Sequence, residues 1–193
     1  MKKIEIGCGN KKKRGYECCD IRNLPGVDYV CKADELPFEN SSIDEIYSRH
    51  FIEHPTLREF LKTLSEWNRV LKNGGVIYII CPNLLWHLKQ IITGSHGSFF
   101  DKGKGKNDRY WGFGSLFGWQ QDKHDVHKFG YYFELIKDIL ENTGFGNVRN
   151  LTNHSVGYEN SIQHLEVRAE KNSRFEDFTK SRFYNHFDVR VRH

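Results

Sequence analysis

The sequence predicts an α/β fold, a largely parallel sheet covered by helices on both faces. Three observations predict it. Strand-like and helix-like patterns alternate along the 193 residues. Val76 to Cys81 (Val-Ile-Tyr-Ile-Ile-Cys) is a continuous apolar run, as a strand buried on both faces requires. Just before it lies an amphipathic helix with its own start and stop signals.

In chain order, Lys3 to Gly7 is a short β run ending in glycines, and Tyr16 to Ile21 is a second. Val27 to Lys32 reads as a third and Ile43 to Ser48 as a fourth. Thr56-Leu57-Arg58-Glu59 has the form of a capping box. Leu57, Phe60, Leu61, Leu64 and Leu71 then share one helical face, and Asn73-Gly74-Gly75 is the expected stop. Val76 to Cys81 is the fifth strand. A second helix is expected from Tyr131 to Thr143, with Tyr132, Leu135, Ile136, Ile139 and Leu140 on one face and Gly144 as its cap. Asn147 to Thr152 and His164 to Ala169 read as two closing strands.

Two regions break the alternation. Gly94 to Lys128 is read as irregular and holds Phe99, Phe100, Tyr110, Trp111, Phe113, Phe117 and Trp119 among glycines and charges. Its aromatics suit either ordinary packing or a lid over an acceptor. The expected division is therefore one domain over 1–170, with an insertion at about 94–128, and a tail over 171–193 that packs on the domain or on a partner.

At 38% hydrophobic and 28% charged residues the composition is that of a soluble globular chain, and the length allows one sizeable core. No apolar run approaches the roughly 18 residues of a membrane span. The start, Met1-Lys2-Lys3-Ile4-Glu5, is too short and too acidic for a signal peptide, so a cytoplasmic location is expected. Cys8, Cys18, Cys19, Cys31 and Cys81 are odd in number and lack CxxC spacing, so buried free thiols are expected. A net charge of +4 is mild for a nucleic-acid binder. It fits a solvated face or attraction for a phosphorylated small substrate. A homo-oligomer is compatible with the sequence.

Ile4-Glu5-Ile6-Gly7-Cys8-Gly9 is a strand entering a glycine turn, where the backbone can approach a ligand closely and present its N–H groups. Asp20, at the end of the next strand, is placed to accept the hydroxyls of a ribose. Downstream come Asp34-Glu35-Leu36-Pro37-Phe38, Ser42-Ile43-Asp44-Glu45-Ile46 and Glu53-His54. Glu66-x-x-Arg69-Val70-Leu71-Lys72-x-Gly74-Gly75 precedes the buried strand.

From Lys3 to Asn83 this set resembles the class I S-adenosylmethionine-dependent methyltransferases, in particular their small bacterial methyltransferase-domain members. Leu140 to Val148 resembles that family's last helix and strand. The resemblance implies a Rossmann-like, seven-stranded, mostly parallel sheet whose last strand is antiparallel. It implies that Glu5 and the Gly7-Cys8-Gly9 turn hold the methionine part of S-adenosylmethionine. Asp20 would then take the ribose hydroxyls, Ile21 the adenine face, and Asp34, Glu35 and Leu36 the adenine edge, with Arg49 and His50 closing over the cofactor. One departure is plain: ten residues separate Gly9 from Asp20, against about 20 in the usual dinucleotide fingerprint. The first helix must be very short or replaced by a loop.

Methyl transfer from a sulfonium depends mostly on positioning, and a hydroxyl acceptor also needs a base. His54, His124 and His127 are the candidates. His124-Asp125-Val126-His127 has ligand types for a metal, but local spacing supplies no third ligand, so no metal is assigned. Enzymes that methylate the exocyclic amines of bases resemble one another in an Asn/Asp-Pro-Pro-Tyr segment; this chain has Ser48-Arg49-His50-Phe51 there. The expected acceptor is a small molecule, a hydroxyl of a saccharide or phosphorylated metabolite, with nucleic acid disfavoured. The alternatives are an RNA methyltransferase and a non-catalytic cofactor-binding module in a complex.

Overall fold

A computed structural model of the chain describes residues 1–93, 111–152 and 163–172. Of the expected insertion, residues 94–110 and the lid reading placed on them lie outside the described residues, as do residues 173–193 of the expected tail.

The strands are β1 (Lys3–Ile6), β2 (Glu17–Asp20), β3 (Tyr29–Val30), β4 (Ile43–Arg49), β5 (Leu71–Pro82), β6 (Phe145–Asn150) and β7 (His164–Lys171). The helices are α1 (Leu57–Val70), α2 (Leu84–Thr93), α3 (Trp111–Phe117) and α4 (Phe133–Glu141). The strands form one sheet in the order β3-β2-β1-β4-β5-β7-β6. β1 to β5 are parallel, and β7 runs antiparallel to both its neighbours. No helix stands between β1 and β2 in this fully described stretch, so the shortened connection is a loop; α1 follows β4.

α1 starts as its sequence dictates. Glu59 N–H donates to the Thr56 hydroxyl at 3.3 Å, and Thr56 N–H donates to the Glu59 carboxylate at 2.7 Å. Its end differs from expectation. Leu71 already has extended dihedrals and pairs with Ile43, so the helix stops at Val70, and Asn73-Gly74-Gly75 falls in an irregularity within β5. Strand pairing, rather than a glycine cap, ends the helix. α2 and α3 were not expected from the sequence. α2 has apolar residues around much of its circumference and so shows no clear stripe, and α3 sits in the stretch read as irregular.

The period of two in the strands sorts their side chains between the faces. Ile4, Ile6, Ile46, Ile77, Ile79, Val167 and Ala169 join Phe60, Leu64 and Trp67 of α1 and Ile136 and Leu140 of α4 in one core. Among the described residues, α1 and α4 both pack into this core. The alternate residues carry charge and aromatic rings. Lys3 pairs with Glu45 at 2.7 Å, Tyr16 donates to Glu45, and Lys13 lies 3.7 Å from the Tyr47 ring centre. Arg168 donates to Tyr78 at 3.2 Å. The loop that replaces the first helix thus covers part of this face itself, through Lys13 and Tyr16.

Candidate active site

A cavity of about 480 Å³ opens at the carboxyl ends of β1, β2 and β4, where the strand order reverses between β1 and β4. Gly7 lies on its wall with φ +70°, and a Cβ there would stand 3.1 Å from the Phe51 side chain. Only glycine combines that conformation with so close an approach. Asp20, Ile21 and Asp34 line the cavity from β2 and from the loop after β3, and His50 and Phe51 line it from the end of β4. His50 has φ +52°; its N–H donates to Ile80 O at 2.8 Å and its Nδ1 lies 3.2 Å from Glu53 Oε1.

Asp20 is deeply engaged. Oδ2 accepts the Gly9 N–H at 2.9 Å, and Oδ1 accepts the Arg22 N–H at 2.9 Å and Nε at 3.1 Å. Burial pushes this carboxyl up, but those donors outweigh it and hold it below the usual carboxylate range. Arg22 is a site residue that the sequence reading missed. Its signal was a cation two residues after the acidic strand end.

The other expected cofactor residues shape the wall from behind and do not line the cavity. Glu5 accepts the Lys13 N–H at 2.5 Å, and burial raises its carboxyl. Cys8 is joined to Cys18, their Cα atoms 6.0 Å apart, which corrects the expectation of five free thiols; Cys19, Cys31 and Cys81 are free. Parallel pairing of β1 with β2 carries the turn after β1 back over Cys18. Gly9 meets Asp20, Glu35 pairs with Lys32, and Leu36 is buried in the core. Arg49 ends β4 outside the lining, its charge felt by Glu5. The Asp34–Phe38 loop is clamped from α1: Arg69 donates to the Leu36 and Phe38 carbonyls at 3.2 and 2.9 Å, and Glu66 accepts the Leu36 N–H at 2.7 Å. That clamp is the physical reason for Glu66-x-x-Arg69.

Lys62, Lys123 and Lys128 stand around the cavity with His54 and His124, which places two of the three candidate histidines on its wall. His127 lies behind them, its ring centre 4.9 Å from that of His54, in a separate small hollow shared with Glu53 and Tyr131. Gly118 allows this packing: a Cβ on it would fall 2.2 Å from Asp125 O, and its neighbourhood lets His127 N–H reach Phe117 O at 3.1 Å. The local spacing around His127 offered no third metal ligand, yet the tertiary structure brings Glu53 and His54 to it.

A family model described as a methyltransferase domain matches residues 9–79. Among solved structures, the CurJ carbon methyltransferase superposes with a TM-score of 0.55 at 18% identity. The match covers 90% of this chain and 49% of that one, so the chain spans about half its length. An S-adenosylmethionine-dependent methyltransferase from Methanosarcina mazei gives 0.54 at 20% identity, over 88% of this chain and 92% of that one. Another, from Archaeoglobus fulgidus, gives 0.55 at 18%, over 88% and 86%. A search of curated proteins finds no match.

Sheet order, the antiparallel β7 and the cavity at the switch point define a class I methyltransferase fold. From Gly9 into β5 the chain matches the methyltransferase-domain family model, and the structures from Methanosarcina mazei and Archaeoglobus fulgidus that share its fold are named for S-adenosylmethionine-dependent enzymes. The residues fit that cofactor: the cavity has the volume of a site for a ligand of its size, Gly7 clears room beside it, and a buried ionised carboxylate stands at the end of β2. No helix among the described residues is long and apolar enough to cross a membrane.

Proposed function

We propose that this chain is an S-adenosylmethionine-dependent methyltransferase acting on a hydroxyl of a small acceptor, a saccharide or phosphorylated metabolite. One observation carries the reading: the cavity wall on the α1 and 123–128 side combines Lys62, Lys123 and Lys128 with His54 and His124. Such a set attracts an anionic or hydroxyl-rich molecule and offers an imidazole to take its proton. When bound, S-adenosylmethionine supplies an electrophilic methyl group on a sulfonium.

Gly7, Asp20, Ile21, Asp34 and His50 would hold the cofactor, with Asp20 accepting the ribose hydroxyls once Arg22 turns outward. Glu5, Cys8, Gly9, Glu35, Leu36 and Arg49 would support them by fixing the turn and loops. His124, exposed at the rim with its backbone N–H held by Asp122 at 2.6 Å, would accept the acceptor's proton. His54 and His127 would complete the wall beside it.

The test is methyl transfer from labelled cofactor to a panel of sugars, sugar phosphates and other hydroxyl metabolites. His124→Gln is expected to lower kcat at least a hundredfold, the usual scale of a lost general base, and to leave affinity for the demethylated product unchanged. An unchanged kcat in that variant removes His124 from the mechanism. Transfer to RNA, falling steeply with salt, would replace the small-acceptor reading.

A further inference from the structure

We propose that Glu53, His54 and His127 form a binding site for one divalent transition-metal ion of the Zn²⁺ type, set in the wall between the main cavity and the small hollow behind it. One nitrogen from each histidine and one carboxylate oxygen all lie within 4.8 Å of one another. Tetrahedral bonds of 2.0–2.1 Å put such atoms roughly 3.3 Å apart, so side-chain rotations of modest size close the site.

Hydrogen bonding selects the tautomers a metal needs. His54 Nδ1 donates to Val126 O at 3.2 Å, and His127 Nδ1 donates to Ser115 O at 2.9 Å. A carbonyl only accepts, so each neutral ring carries its proton on Nδ1 and keeps the Nε2 lone pair for a ligand. This is the arrangement by which outer-shell carbonyls orient metal-bound histidines.

The third ligand points to the ion independently. Glu53 is 1% exposed, and its Oε2 is buried without a hydrogen-bond partner, while Oε1 faces His50. A buried carboxylate oxygen left unpaired is costly, and a cation beside it removes the cost. The hydroxyl of Tyr131, which lines the same hollow, is also buried without a partner. The backbone holds the ligands in place: Glu53 O accepts the Lys128 and Phe129 N–H groups at 2.8 and 3.2 Å. That contact pins the 127–129 segment against the end of β4.

Two histidines and one carboxylate leave a coordination position open, and His54 faces the main cavity. An acceptor hydroxyl would occupy that position, a consequence that rests on the reading proposed above. The binding test does not depend on it. Tag-free full-length chain, stripped with chelator and returned to chelator-free buffer, is titrated with Co²⁺ and with Zn²⁺ by calorimetry, without methyl donor or acceptor. The Co²⁺ complex is also followed by its visible absorption. One ion per chain is expected, with Co²⁺ bands from nitrogen and oxygen ligands. His54→Gln and His127→Gln should each weaken binding at least tenfold, and His124→Gln should leave it unchanged. Both rings are only partly buried, and should one variant unfold, the other decides. Absence of binding at millimolar ion, or binding that neither substitution alters, overturns the site. A panel showing no methylated hydroxyl alongside intact metal binding would defeat the acceptor reading alone.

Discussion

Asp20 and Arg22 show how a single pair sets the terms for ligand binding. The carboxylate waits in a fully bonded state, so a ribose must displace the guanidinium before it reaches both oxygens. The Asp20 carboxylate is 3% exposed but the Arg22 side chain is 40% exposed and can swing outward, so with water screening the guanidinium the pair is worth on the order of 1 kcal/mol. Asp20→Ala is therefore expected to weaken binding of the demethylated product at least tenfold, each charge-assisted bond to the ribose contributing roughly 1.5–3 kcal/mol. Arg22→Ala is expected to tighten it by up to about fivefold, the same 1 kcal/mol released. Calorimetry on the two variants checks both signs, and weaker binding in Arg22→Ala would mean that the guanidinium contacts the ligand itself. The acidic strand end was legible because its position follows from the strand pattern. The engagement of its oxygens was not, since that depends on a turn geometry that the Gly-Cys-Gly spelling leaves open.

At the scale of elements, α1 does more than cover the sheet. Its last turn holds Arg69, which donates to both carboxylate oxygens of Glu66 at 2.7 Å, and the same guanidinium reaches the Leu36 and Phe38 carbonyls and Asn40. Lysine cannot reproduce that fork. Arg69→Lys is expected to lower stability by about 1–3 kcal/mol and to weaken product binding as the Asp34–Phe38 loop loosens, measured by urea unfolding and by titration. A stability loss with unchanged affinity would show that the loop keeps its shape without the clamp. α1, α4 and all seven strands were legible, because each has a local signature: a capping box, a clean apolar face, or a run bounded by turns. The helical end at Val70 was not, because Leu71 is taken by Ile43 across the sheet, a contact 28 positions away in the chain. The metal-type cluster was hidden for the same reason. His127 meets Glu53 and His54 only after the 118–127 turn has folded back onto the end of β4.

Over the whole molecule, polar groups are buried at the carboxyl edge and on the face that lacks α1 and α4, and both places make stability depend on conditions. His164, at the start of β7, is held down to about 4 by burial, with His50, His87 and Arg49 adding repulsion. Its ordinary value of 6.5 returns on unfolding, so between pH 6.5 and 4 the unfolded chain binds more protons than the folded one. Stability from this group is fully present above pH 6.5 and falls as pH drops toward 4. Urea midpoints measured from pH 8 to pH 4.5 should show that decline, and His164→Asn should flatten it. The other face depends on the loop after β1. With no helix to hold it, residues 7–16 are fixed by Glu5, by the stacking of Lys13 on Tyr47 and by the Cys8–Cys18 bridge. Closing a loop of about ten residues in the unfolded chain contributes roughly 2–3 kcal/mol in the chain-entropy model. Reduction with a thiol, or the Cys8→Ala/Cys18→Ala pair, is therefore expected to lower the urea midpoint by that amount. Affinity for the demethylated product should fall in parallel, because Gly9, next to Cys8, supplies a hydrogen bond to Asp20. A midpoint indifferent to reductant, with both thiols reacting freely in the folded chain, would return these cysteines to the free state expected from their spacing and leave the loop held by Glu5 and Lys13.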